Sequence, residues 1–159
     1  MIDAFAGTIV GWACSCRHDT RLVERALRMA EGRQAREGHP LTGSTIHHSD
    51  AGSAATAVHV GESLLLAGMV ASIGSVGDAY DTALAETTIG LSTTVCVRPG
   101  PPFARGPLTS LTDLEEETRA SVNWYNTRRL MHRLGRGPPI EVEQEYYGRL
   151  AAESETVHT

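Results

Sequence analysis

Asp50 and Glu86 are separated by 35 intervening residues. The first stands where a short extended segment becomes a loop, the second on a helical stretch, with a strand and a turn between them. Two carboxylates so placed can converge on a divalent cation. Mg²⁺ binds a few carboxylates together with substrate phosphate oxygens, and paired cations about 3.5–4 Å apart assist in-line displacement at phosphorus. Three acidic residues are the usual minimum. In a chain with 19 acidic residues the same spacing also describes two solvated surface charges.

Other groups suit other chemistry. His47 and His48 precede Asp50, but adjacent strand residues point to opposite faces, so at most one can join Asp50 at a metal. A hydrolase using His48, Asp50 and Glu86 is one reading, and structural histidines are the other. Cys14 and Cys16 share a strand face without a second ligand pair at zinc spacing, which favours buried thiols. Arg119, Arg128, Arg129, Arg133 and Arg136 lie in a stretch without acids, residues 118–140. Such a segment either contacts DNA phosphates or is a solvated face balanced by Asp113, Glu115, Glu116 and Glu117.

The elements that must position these groups follow from apolar spacing. Residues 9–14 suit a buried strand that could pair with residues 1–5 across Ala6-Gly7-Thr8. Asp19 can cap a helix over 20–31, with an apolar stripe through Leu22, Ala26 and Ala30 and a stop at Gly32. A weak strand over 44–48, a helix over 57–67 ended by Gly68, and a strand over 69–73 make a parallel crossover. Tyr80, Leu84, Leu91 and Val95 recur at helical intervals over 78–95. Four Pro and two Gly in 98–107 forbid a helix there. A capping box at Thr112-Asp113-Leu114-Glu115 opens a helix to about residue 129. Trp12 and Trp124 read as core, and the acidic tail beyond 139 is expected to fray.

The 159 residues suit one domain, with hydrophobic residues at 41% and charged residues at 21%. Net charge is −5 and all 14 cations are Arg, so bulk electrostatics disfavour a nucleic-acid binder and leave local patches to do any such binding. No segment approaches the roughly 20 apolar residues of a membrane span. Without a signal-peptide pattern, and with an odd set of three cysteines, a reducing cytoplasm fits.

Four stretches carry a family resemblance: Ile2-Asp3-Ala4-Phe5 with Ile9-Val10-Gly11-Trp12; His47-His48-Ser49-Asp50-Ala51-Gly52-Ser53; Gly77 through Glu86 (Gly-Asp-Ala-Tyr-Asp-Thr-Ala-Leu-Ala-Glu); and Trp124-Tyr125-Asn126-Thr127-Arg128-Arg129. Together, over residues 2 to about 147, the chain resembles bacterial insertion-sequence transposases with a retroviral-integrase-like catalytic core. The resemblance implies an α/β, RNase H-like fold, a mixed five-stranded sheet with helices on both faces, over residues 1–135, with 136–159 as a C-terminal tail. It implies Asp50 and Glu86 as two of three DDE carboxylates holding Mg²⁺ or Mn²⁺. The partners it implies are DNA, as element ends and target, and a homo-oligomer or full-length transposase, with no membrane.

The departures from the family are specific. The family's first carboxylate lies on strand one, inside an Asp-x-Thr-Tyr-like stretch upstream of the Ile-Asp-x-Phe segment, whereas Asp3 holds a second-strand position and reads as an acid near a hairpin turn. That first strand is central in the family's sheet, so its absence would leave two edges unpaired. The expectation is a C-terminal part of a transposase with the first strand missing. Ala54-Ala55-Thr56-Ala57 replaces the family's Gln-Tyr-Thr-Ser, and Thr82 and Thr93 replace its Asn and Lys, each loss weakening substrate grip. The alternative is a non-catalytic remnant that binds DNA or a full-length transposase through residues 119–136.

Overall fold

The computed structural model describes residues 1–17, 20–49, 54–73, 79–92, 94 and 108–157. Among these the chain is mixed α/β, with five α-helices and a two-stranded parallel sheet. In chain order they are α1 (Thr20–Arg36), β1 (Thr45–Ser49), α2 (Ala54–Leu66), β2 (Met69–Ile73), α3 (Ala79–Ser92), α4 (Leu111–Arg128), a 3₁₀ turn (His132–Leu134) and α5 (Pro139–Val157). No described helix is long and apolar enough to cross a membrane.

The β1–α2–β2 crossover forms as its apolar pattern predicts, with Thr45 opposite Met69 and Ser49 opposite Ile73 in parallel register. Leu27, Leu64 and Met69 form the buried cluster, with Met1, Leu41, Val60 and Ala67 packed against it. This core joins α1, α2 and β2 and is entirely aliphatic and Met.

The N-terminal hairpin is reduced to one antiparallel bridge, Ile2 to Ile9. Asp3 explains why. Its carboxylate accepts the Phe5 and Ala6 N–H groups at 3.2 and 3.0 Å, and its own N–H donates to Thr8 O at 2.8 Å, so the turn takes the residues that a longer ladder would need. Among the described residues this bridge is separate from the β1–β2 sheet.

Several boundaries differ from the sequence expectation. Helix α1 passes Gly32 and runs to Arg36. A helical Gly costs about 1 kcal/mol against Ala, and that cost is offset because Arg33 is tied to Glu37 and Glu143. The chain turns instead at Gly38, whose φ of 82° suits glycine. The capping box of α4 is Ser110 with Asp113, not Thr112 with Glu115. The Ser110 Oγ accepts the Asp113 N–H at 3.1 Å, and Asp113 accepts the Ser110 N–H at 2.9 Å. The Thr109 hydroxyl, then its N–H, and Ser110 hold the Asp113 carboxyl below the usual carboxylate range.

The acidic tail does not fray through 139–157 but forms α5. Its Glu143 is buried against Arg33, Tyr147 stacks on His39 with ring centroids 3.4 Å apart, and Tyr146 meets Phe5 at 5.0 Å. Trp12 and Trp124 are half-buried rather than core, and Cys16 is exposed, because the segment that carries Trp12 and Cys16 lies over the helices and not inside a sheet. The expected cap at Asp19, the turn at 74–77, the Pro-rich 98–107, Cys96 and Thr93 lie outside the described residues.

Gly11 packs directly against the backbone of α1. A Cβ there would stand 2.1 Å from Ala26 O and 3.2 Å from Ala30 N, both backbone atoms of α1. Backbone cannot swing aside as a side chain does. Gly11→Ala should therefore destabilise by about 1–3 kcal/mol as α1 is pushed off the N-terminal segment, read as a lowered urea midpoint with unchanged m. A midpoint equal to that of the parent would show that this approach is looser than described.

Candidate functional site

Strand β1 ends at Ser49, one residue before Asp50, which lies outside the described residues. Glu86 is exposed on α3, and α3 packs against β1. The two elements that the carboxylate pairing requires to be neighbours are therefore neighbours. Thr82 shares α3 with Glu86. Among the described residues no group of three or more His, Cys, Asp and Glu could hold a metal ion.

The two histidines of β1 divide as strand alternation demands. His48 Nδ1 lies 3.1 Å from Ser72 Oγ on β2, at the cross-strand position that the register pairs. His47 turns the other way, and its Nδ1 is buried without a hydrogen-bond partner among the described residues. Burial chiefly, with the positive amino terminus and His48 adding, holds its pKa below the usual histidine value.

The sign of the resulting pH dependence follows. In the folded chain His47 stays neutral to lower pH than in the unfolded chain. Above about pH 6.5 neither state binds the proton and stability is flat in this group. As pH falls below that, the unfolded chain takes up the proton first, and stability drops until the folded value is passed. Urea midpoints between pH 7.5 and 5 should fall with acidification, and His47→Gln should flatten the fall. An equally steep fall in the variant would assign it elsewhere.

Helix α4 anchors both flanks of the molecule. Asn126 uses its side-chain amide as a strand would use its backbone: Oδ1 accepts the Ile9 N–H and Nδ2 donates to Ile9 O, both at 2.9 Å. This explains why a Tyr-Asn pair sits in the last turn of α4. Tyr125 is buried, with its hydroxyl 3.5 Å from the Thr88 Oγ1 of α3, so α4 sets where the Glu86 helix lies.

The five arginines of residues 119–136 do not form one surface. Arg119 and Arg128 are exposed on α4. Arg129 lies over the Tyr125 ring at 5.4 Å and buries its Nε. Arg133 donates to Phe5 O at 3.1 Å and holds the N-terminal turn, and Arg136 is exposed beyond it. Sequence reasoning missed Arg36, because it lies on α1, far from these in the chain; the structure puts it beside Arg119 along one groove.

Comparison with known proteins gives consistent relatives. The chain is 39% identical over 147 residues, 92% of its length and 51% of the relative's, to a Mycobacterium tuberculosis protein provisionally named a transposase for insertion sequence element IS986/IS6110. It is 39% identical over 150 residues, 94% of its length and 47% of the relative's, to the transposase for insertion sequence element IS629 of Shigella sonnei. A transposase for insertion sequence element IS904 of Lactococcus lactis is 34% identical over 86 residues, 54% of this chain and 32% of that one. The chain thus spans about half the length of the first two. No protein-family model and no solved structure matches it.

Proposed function

Because this chain belongs to the insertion-sequence transposases, we propose that it serves DNA transposition as part of a DDE-type catalytic core, with Asp50 and Glu86 as two of three metal carboxylates. The adjacency of β1 and α3 carries this reading, since it joins the elements that bear or border the two residues. Residues 1–135 belong to a core of RNase H-like fold, and α5 clasps it from outside.

Asp3 is not the third carboxylate: both its oxygens accept backbone N–H groups of its own turn. The third acid is then a residue other than Asp3. The donor set is all oxygen, which suits Mg²⁺ or Mn²⁺ rather than a softer metal. When bound, such a cation supplies Lewis-acid activation of a water or 3′-hydroxyl and neutralises phosphate charge. The protein's own contribution is positional: β1 and α3 hold the carboxylates, Tyr125 and Thr88 seat α3, and the exposed Arg119, Arg128 and Arg136 meet the DNA backbone as a partner. A second copy or a full-length transposase completes the assembly.

A strand-transfer assay with Mn²⁺, on residues 1–159 and on a form extended by the sequence encoded just upstream of Met1, tests this. Joined product from the extended form and none from the shorter one is the expected result. Absence of product from both, with DNA binding retained, would favour the non-catalytic reading. Equal hydrolysis of a small ester by both forms would favour the His48 hydrolase.

A further inference from the structure

Between α1, α4 and the segment that carries Ile9 and Trp12 runs an open groove of about 470 Å³, away from the Glu86 helix. At 100° per residue, Arg119, Asn123 and Asn126 share one flank of α4, while Ser121 and Tyr125 face α3 on the other. In a chain of net charge −5, three guanidinium groups and one carboxylate line this groove. The carboxylate, Glu37, is already paired with Arg33 at 3.0 Å. Arg36 and Arg119 have no acidic partner among the described residues and are exposed.

We propose that this groove seats a stretch of DNA phosphodiester backbone, with Arg36 and Arg119 neutralising phosphates from opposite helices. Asn123 supplies a neutral donor to phosphate or sugar oxygens, and Trp12 offers an aromatic face against sugar or base. Contacts of this kind, to phosphate and sugar, carry no sequence information. It extends the DNA footprint to a flank of α4 that Glu86 does not share. The inference rests on the reading of the chain as acting on DNA.

The test is fluorescence anisotropy with a labelled duplex of arbitrary sequence in EDTA, at a series of NaCl concentrations. Each neutralised phosphate contributes close to one unit to the slope of log affinity against log salt. Arg36→Ala with Arg119→Ala should lower that slope by about 2 and weaken binding equally for unrelated sequences. Arg36→Lys with Arg119→Lys should keep the slope. A control pair of exposed arginines outside the groove, Arg21→Ala with Arg149→Ala, changes net charge equally and should leave the slope unchanged. The same slope in both alanine pairs would overturn the proposal, as would no salt-dependent binding by the parent chain. Glu86→Gln lies outside the groove, so loss of transfer in that variant with the parental slope keeps the groove and the catalytic reading separable.

Discussion

Glu86→Gln should abolish strand transfer by the extended, active form while leaving its melting temperature and its DNA affinity in EDTA unchanged. The substitution keeps the shape of the side chain and removes only the anionic oxygen. Glu86 is exposed on α3, so no buried packing is lost. Groups one shell removed from a metal typically cost 10–100-fold when mutated. A direct ligand in an oxygen-only site should therefore cost at least about a hundredfold. The companion readout is stabilisation by Mn²⁺: the parent's melting point should rise with the cation, and the variant's rise should shrink. Parental transfer rates in Glu86→Gln would remove Glu86 from the reaction and the DDE reading with it.

Glu143→Leu should be the most destabilising single change away from the reacting groups. Glu143 on α5 and Arg33 on α1 are bonded across 110 residues of sequence, with side-chain exposures of 7% and 16%. Burial disfavours the Arg33 charge, but Glu143 and then Glu37 outweigh it and hold the guanidinium above its ordinary value. Arg33 therefore stays cationic, and removing Glu143 strands a mostly buried charge. Breaking such a pair costs roughly 3–5 kcal/mol. Glu37 still holds the Arg33 Nε, which puts the expected loss at about 3 kcal/mol. For a chain of this size that is a melting shift of roughly 6–12 °C. Arg33→Leu combined with Glu143→Leu should recover much of it, since two apolar groups leave no orphan charge. A double variant less stable than the single would refute this account of how α5 docks.

How far the sequence could be read depends on the range of the interactions. The β1–α2–β2 crossover and helices α1, α3 and α4 were legible, because apolar periodicity and capping groups act within a few residues. The expected Ser/Thr-acid cap of α4 was right in kind and two residues late in place. Two serine or threonine boxes compete there, and the Thr109 hydroxyl and N–H favour the Ser110–Asp113 one. The proposed pairing of Asp50 with Glu86 rests on spacing and motif.

What only the tertiary structure decided is how distant segments hold one another. The tail became α5 because Glu143 found Arg33 and Tyr147 found His39. Asn126 became a substitute strand partner for Ile9, and Arg36 joined Arg119 along one groove. Each of these pairings closes a loop of more than 80 residues, and local propensity carries no record of which far groups will meet. The sequence by itself determined helices α1 to α4, the crossover and the residues able to do chemistry; burial and long-range charge pairing decided which arginines brace the fold and which stay free for a ligand.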